Sequence, residues 1–265
     1  MKIRTISAVI LLAVFIPLLI VGGLPFAMLM ALLAVCSLYE LFKTRRKVNK
    51  IPMAIELYSY ILVAFFTMNS YGSGNILLLD YRILAFLILI NLAPLVFVNN
   101  KEKYGFNDAI FLISSTIFVG STFNLLVTIR EYNINYIIYL FLITAITDTF
   151  ALITGMYIGR HKLAPEISPK KTIEGLIGGT FMGTFVATMF YMSVFNTNVN
   201  FAVVAFLTMI LSLIGQLGDL VFSFIKREFG MKDFSNIIPG HGGILDRLDS
   251  IIFVTLAFLL FMTVL

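Results

Sequence analysis

The sequence predicts an all-α, polytopic integral membrane bundle of about nine transmembrane helices. Two bulk properties and one pattern predict it. Hydrophobic residues fill 60% of the 265 positions and charged residues 12%, with a mean hydropathy of +0.99, which places most of the chain in lipid. Apolar runs of about 20 residues, the length that crosses a hydrocarbon core, recur from end to end. Lys and Arg gather in alternate connections, as the positive-inside rule requires of a multi-pass protein.

The first two runs fall at 5–22 and 25–42. The first, with its basic start at Lys2 and Arg4, imitates a secretory leader. A second span follows within a few residues and no small-x-small cleavage pattern stands out, so it reads as a retained helix. The third and fourth, at 53–70 and 82–98, are interrupted by Glu56, Asp80, Arg82 and Pro94, and a re-entrant or tilted piece there would change the count. The remaining five lie at 107–128, 136–158, 175–195, 201–225 and 250–265. With the N-terminus cytoplasmic, seventeen of the nineteen Lys and Arg residues fall inside, and Arg82 and Arg130 are the exceptions. That topology puts the C-terminus outside and both polar motif loops in the cytosol, and the absence of Trp with a small single-domain layout suits a bacterial plasma membrane. Residues 1–135 read as scaffold and 136–265 as the catalytic region.

Composition also excludes. Cys36 is the single cysteine and lies in an apolar run, so no internal disulfide or Cys-based metal site can form. A formal charge of +5 could suggest nucleic acid, but these cations sit in short loops between apolar runs, which argues against a nucleic-acid partner. Five of them, Lys43, Arg45, Arg46, Lys47 and Lys50, could attract anionic lipid, although topology accounts for them equally well. No phosphate-binding P-loop or Rossmann fingerprint is present.

The densest polar stretch runs from Ser223 to Ser250. It carries Lys226, Arg227, Lys232 and Arg247, a Pro239-Gly240-His241-Gly242-Gly243 turn, and two late carboxylates, Asp246 and Asp249. Cations can meet an anionic substrate, glycines let backbone N–H groups approach phosphate oxygens, and carboxylates can hold a hard divalent ion. Asp246 and Asp249, three apart, would project side by side from a helix beginning near Ile244, a repulsive arrangement unless a cation lies between them. The alternative is an acidic first turn favoured by the helix dipole. His241 is expected to contact or position phosphate rather than abstract a proton.

Two more carboxylates, Asp148 and Asp219, lie inside expected spans, where a charge normally faces a cavity and has a partner. The alternative for each is a structural ion pair or a protonated carboxyl. Asp219, Ser223 and Lys226 recur at spacings of four and three, so they share one helix face. A second motif from Gly159 to Gly175 holds Arg160, Lys162, Lys170 and Lys171. Its two lysines can meet a triphosphate as point charges, and Ser168 and Thr172 offer hydroxyl donors. His161 reads as a solvated loop residue without a motif partner. Gly175, Gly179, Gly183 and Ala187 repeat every fourth residue, as do Gly155 and Gly159, a pattern for close packing within the chain or across a homodimer.

The stretch through Ser223, Lys226, Arg227, Lys232, Asp233, Pro239, His241, Gly242, Gly243, Asp246, Arg247 and Asp249 resembles the signature of the phosphatidate cytidylyltransferase family, also called CDP-diacylglycerol synthases. Ser168-Pro169-Lys170-Lys171-Thr172-Ile173-Glu174-Gly175 is similar to a second element of that family. The likeness is close over roughly the last 120 residues and general before that.

The resemblance implies that phosphatidate attacks the α-phosphorus of CTP, giving CDP-diacylglycerol and pyrophosphate. It implies Asp219 and Asp246 as magnesium ligands with Asp249 close by, and a second cation is compatible with it. Lys226 and Arg227 join these aspartates as catalytic candidates. Ser168, Lys170, Lys171, Thr172, Glu174, Ser223, Lys232, His241, Gly242, Gly243, Arg247 and Asp148 are the candidate substrate-binding residues. The rival readings are a CTP-dependent transferase or kinase acting on another membrane lipid, and an ion-coupled transporter using Asp148 and Asp219.

Overall fold

The structure, a computed structural model, describes residues 2–49, 51–69, 71, 81–98, 104–195 and 199–262. Among them the chain forms α1 (Lys2–Val21), α2 (Gly23–Arg45), α3 (Met53–Met68), α4 (Tyr81–Leu92), α5 (Pro94–Phe97), α6 (Phe106–Tyr132) and α7 (Ile134–Ile158). A hairpin of β1 (Lys162–Ala164) and β2 (Ser168–Thr172) follows, then α8 (Ile173–Val194), α9 (Phe201–Glu228) and α10 (Leu245–Phe261). Lys50, Asp80, Lys101 and Lys103 lie outside the described residues, as do the side chains of Lys2 and Arg4.

Each of the nine apolar runs holds a helix, and the fourth is split into α4 and α5. Pro94 marks the break, because a proline ring supplies no N–H and crowds the preceding turn. Five helices, α2, α6, α7, α8 and α9, are by themselves long and apolar enough to cross a membrane, while α1, α3 and the α4–α5 pair are apolar but shorter. Leu57, Ile61 and Phe65 on α3, and Ile177, Phe181 and Phe185 on α8, point outward from the protein. Such apolar outer faces belong in lipid. The chain is a multi-pass helical membrane protein.

Two compact units result, Met1–Ile134 with Asp233–Asp246, and Asn135–Lys232 with Arg247–Leu265. The segment 233–246 thus clusters with the N-terminal helices rather than with 136–232. In the first unit, Leu62, Phe66 and Leu87 form a buried cluster. Asn124 Nδ2 on α6 donates to the Phe66 and Thr67 carbonyls at 2.9 and 3.2 Å, tying α6 to the last turn of α3. Arg45 binds Asp108 Oδ1 through Nε and Nη2 at 3.0 and 2.7 Å, and Arg46 pairs with Glu56. Two of the five cations in 43–50 therefore tie α2 to α6 and α3.

In the second unit, hydroxyls and small residues join the helices. Tyr139 and Thr208 share a hydrogen bond of 2.6 Å and Thr147 and Ser212 one of 2.8 Å, linking α7 to α9. Gln216 Nε2 donates to Thr180 Oγ1 at 2.8 Å, linking α9 to α8. The glycine stripe lies against α7: a Cβ on Gly179 would stand 2.6 Å from the Thr147 carbonyl and 2.8 Å from Ala151 Cβ, and one on Gly175 2.6 Å from the Ala151 carbonyl. The stripe is thus an internal seam.

Candidate active site

In the second unit, the loop expected after α7 is an antiparallel hairpin with Lys162 opposite Thr172 and Ala164 opposite Ser168. Thr172 ends it as the N-cap of α8, its Oγ1 accepting from Gly175 N at 3.1 Å. The Thr172 hydroxyl is thereby engaged in starting a helix. Glu174 in the first turn of α8 accepts from Arg160 N at 3.1 Å and from His161 N at 3.3 Å. Its Oε1 also meets His161 Nδ1 at 2.6 Å. His161 is exposed as expected, but it has a partner, and that partner belongs to the second motif.

The hairpin presents Ser168 and Lys171 half-buried and Lys170 exposed. Lys171 Nζ reaches Asp219 Oδ2 on α9 at 2.6 Å. One turn on, Ser223 Oγ donates to Asp219 Oδ1 at 3.2 Å, as the four-residue spacing requires. Lys226, a further turn along, is buried and acts electrostatically on Asp249. Asp249 on α10 also feels Asp219 and Asp148, and Asp148 on α7 feels Asp219 and Lys171. Three carboxylates from three helices, with two lysines, therefore share one field. Close contacts of α9 with α10 are made at Gly215 and at Gly218, where a Cβ would lie 2.8 Å from Phe253 Cβ and 2.9 Å from the Asp249 carbonyl. Arg227 faces the hairpin, Nε to the Ile167 carbonyl at 3.2 Å.

In the first unit, the glycine-rich stretch is a tight turn. Ile238 N donates to the Gly242 carbonyl and His241 N to the Ile238 carbonyl, both at 2.9 Å. Gly240 and Gly242 have φ of 76° and 85°, the left-handed region where a side chain would be strained. Asp246 Oδ2 accepts from Phe234 N and from Gly243 N, each at 2.9 Å. Ser7 Oγ donates to the Pro239 carbonyl at 2.8 Å. Beneath the turn, Glu40 of α2 accepts from Ser235 Oγ, from Ile244 N at 2.8 Å and from Leu245 N at 2.9 Å.

Residues 2–265 match the sequence profile of the cytidylyltransferase family. The chain belongs to the cytidylyltransferase family. It is similar to proteins named phosphatidate cytidylyltransferase from Staphylococcus aureus (41% identical over 256 residues), Staphylococcus haemolyticus (39% over 255) and Staphylococcus saprophyticus (40% over 255). In each case 96% of both chains is covered.

Within this cytidylyltransferase, one compact unit holds Asp148, Ser168, Lys170, Lys171, Thr172, Glu174, Asp219, Ser223, Lys226, Arg227, Lys232, Arg247 and Asp249. The other holds His241, Gly242, Gly243 and Asp246. Lys232 and Arg247 are exposed. Among the described residues no three His, Cys, Asp or Glu side chains are grouped so as to hold a metal by protein ligands alone. Magnesium takes one or two carboxylates and completes its shell with water and substrate phosphate, a donor chemistry that Asp219 and Asp249, which act on each other electrostatically, would offer. Sequence reasoning missed Glu40. Its signal was available: a carboxylate inside the apolar run Leu38-Tyr39-Glu40-Leu41-Phe42, the same signal that singled out Asp148 and Asp219.

Proposed function

We propose that this chain transfers the cytidylyl group of CTP to phosphatidate, giving CDP-diacylglycerol and pyrophosphate. A phosphate oxygen of phosphatidate attacks the α-phosphorus of CTP, the new P–O bond forms, and the bond to the β-phosphate breaks with its electron pair leaving on pyrophosphate. The observation that carries this reading is the match to the family over residues 2–265, together with 41% identity to a protein named for this activity.

The geometry supports it. A phosphate monoester is already an anionic nucleophile, so positioning and charge neutralisation supply most of the acceleration. Lys171 and Lys226 supply positive charge for that need, and the Lys171–Asp219 pair is part-exposed, so a phosphate oxygen can take over the lysine at small cost. Lys170, Lys171, Lys226 and Arg227 bind phosphates, while Ser168, Ser223, Lys232 and Arg247 add donors around them. The turn at 239–243 fits around the nucleotide phosphates. On the resemblance, Asp219 and Asp246 would hold magnesium, with Asp249 close by, and the ion would neutralise phosphate charge; a second cation is compatible with it.

The protein lies in the bacterial plasma membrane with its N-terminus and both motif loops cytoplasmic, where CTP is available, and phosphatidate enters from the bilayer. A homodimer would use a face other than the glycine stripe, which α7 already covers.

The test is pyrophosphate release by the purified chain with CTP, phosphatidate and magnesium, before and after chelation by EDTA. Turnover that needs all three components is expected. Preference for ATP, or for an isoprenoid acceptor over phosphatidate, would favour the other lipid transferases. Solute uptake into proteoliposomes without CTP chemistry would favour transport.

A further inference from the structure

The first unit contains a carboxylate that the reaction scheme does not use. Glu40 lies on α2, one turn before the helix end at Arg45, and is 0% exposed. A buried carboxylate is costly unless its lone pairs are filled by donors. Here they are filled by Ser235 Oγ, Ile244 N and Leu245 N, about 200 residues further along the chain. The two backbone donors belong to the start of α10, whose first N–H groups lack partners within the helix. Glu40 therefore caps α10 from another helix.

The same side chain reaches the turn by two further routes. Ser235 Oγ accepts from Ile237 N at 3.2 Å while donating to Glu40, which fixes the entry to the turn. A Cβ on Gly243 would stand 2.7 Å from the Glu40 carboxyl carbon and from Oε2, which fixes the exit. Entry, exit and the following helix start thus all rest on one buried carboxylate. Asp246 holds the turn separately, through Phe234 N and Gly243 N.

We infer that Glu40 is a positioning residue for the nucleotide-phosphate turn at 239–243, setting its geometry from the N-terminal helices. This rests on the proposed role of that turn toward CTP phosphates. Glu40 does not touch substrate. It presents the turn in one conformation, so its loss weakens CTP binding and leaves phosphatidate binding alone.

The experiment uses the full chain in detergent–lipid micelles with Glu40→Gln, which keeps the volume and replaces one acceptor oxygen by a donor facing backbone N–H. Two quantities are read: the KM values for CTP and phosphatidate, and hydrogen exchange at the Ile244 and Leu245 amides without substrate. The expected result is a CTP KM raised at least tenfold, a phosphatidate KM within twofold, and exchange at least tenfold faster at both amides. Should Glu40→Gln fail to fold, Glu40→Asp, which keeps the charge but falls one methylene short, is read in the same way. Unchanged exchange overturns the inference. So does an unchanged CTP KM, or a fall in kcat with both KM values unmoved. A wild-type chain with no CTP-dependent turnover would instead sink the proposed function, while the exchange measurement still judges Glu40.

Discussion

Lys171 Nζ and Asp219 Oδ2 stand 2.6 Å apart, joining the second-motif hairpin to the face of α9 that also carries Ser223 and Lys226. Both side chains are about a quarter exposed (27% and 29%). Such a pair contributes little to folding, roughly 0–1 kcal/mol. On the proposed function, its value lies in holding a lysine beside a carboxylate until a phosphate arrives.

Lys171→Ala therefore leaves the unfolding midpoint in detergent nearly unchanged and lowers kcat/KM for CTP by about 10- to 100-fold, the worth of one charge-assisted hydrogen bond to phosphate. A large loss of stability with unaltered kinetics would reassign Lys171 to structure.

Asp219→Asn removes a carboxylate from the shared field of Asp148, Asp249 and Lys171. Turnover is expected to fall by about 10³-fold or more, as losing several kcal/mol of transition-state charge stabilisation implies. Raising magnesium should recover part of it. Activity that ignores both the substitution and the ion would remove Asp219 from the site.

Asp246→Asn has a double effect. Its Oδ2 holds two backbone N–H groups of the signature turn, and weakening those bonds costs about 1–3 kcal/mol of stability. The protein still folds and inserts, but CTP-dependent turnover is abolished. Full activity in this variant would remove its metal role, since an Asn oxygen can still accept from the two backbone N–H groups.

Gly179→Val places a branched side chain where even a Cβ would sit 2.6 Å from the Thr147 carbonyl. Overpacking of this kind costs about 1–3 kcal/mol or more, read as a lowered unfolding midpoint, with the KM values of the surviving folded fraction unmoved. A midpoint equal to wild type would mean that α7 and α8 do not meet at this glycine.

Much of the site was legible because its signals are local. The spacing of Asp219 and Ser223 is one helical turn, so periodicity alone places them together. Pro239 to Gly243 reads as a turn, and the positive φ of Gly240 and Gly242 is the conformation such residues permit. Glu40 escaped because its three donors come from Ser235, Ile244 and Leu245, and no sequence period connects residues that distant. The hairpin at 162–172 escaped because its strands are short and Pro165 and Pro169 argue for irregular structure. His161 looked solitary because its partner, Glu174, lies on the next helix beyond the hairpin. The count of full-length spans was blurred by length: α3 and α4 are too short to be separated from tilted or re-entrant pieces by hydropathy alone.

The glycine seam between α7 and α8 has a mechanical corollary. A screw movement of α8 by one residue, about 1.5 Å of rise, would carry Thr180 to the place of Gly179, where even a Cβ stands 2.6 Å from the Thr147 carbonyl, so the packing resists that movement. The lysine-bearing hairpin is accordingly held at both ends by packed helices, and on the proposed function nucleotide exchange at its edge would fall to rotating side chains rather than to travel of the rods that carry it.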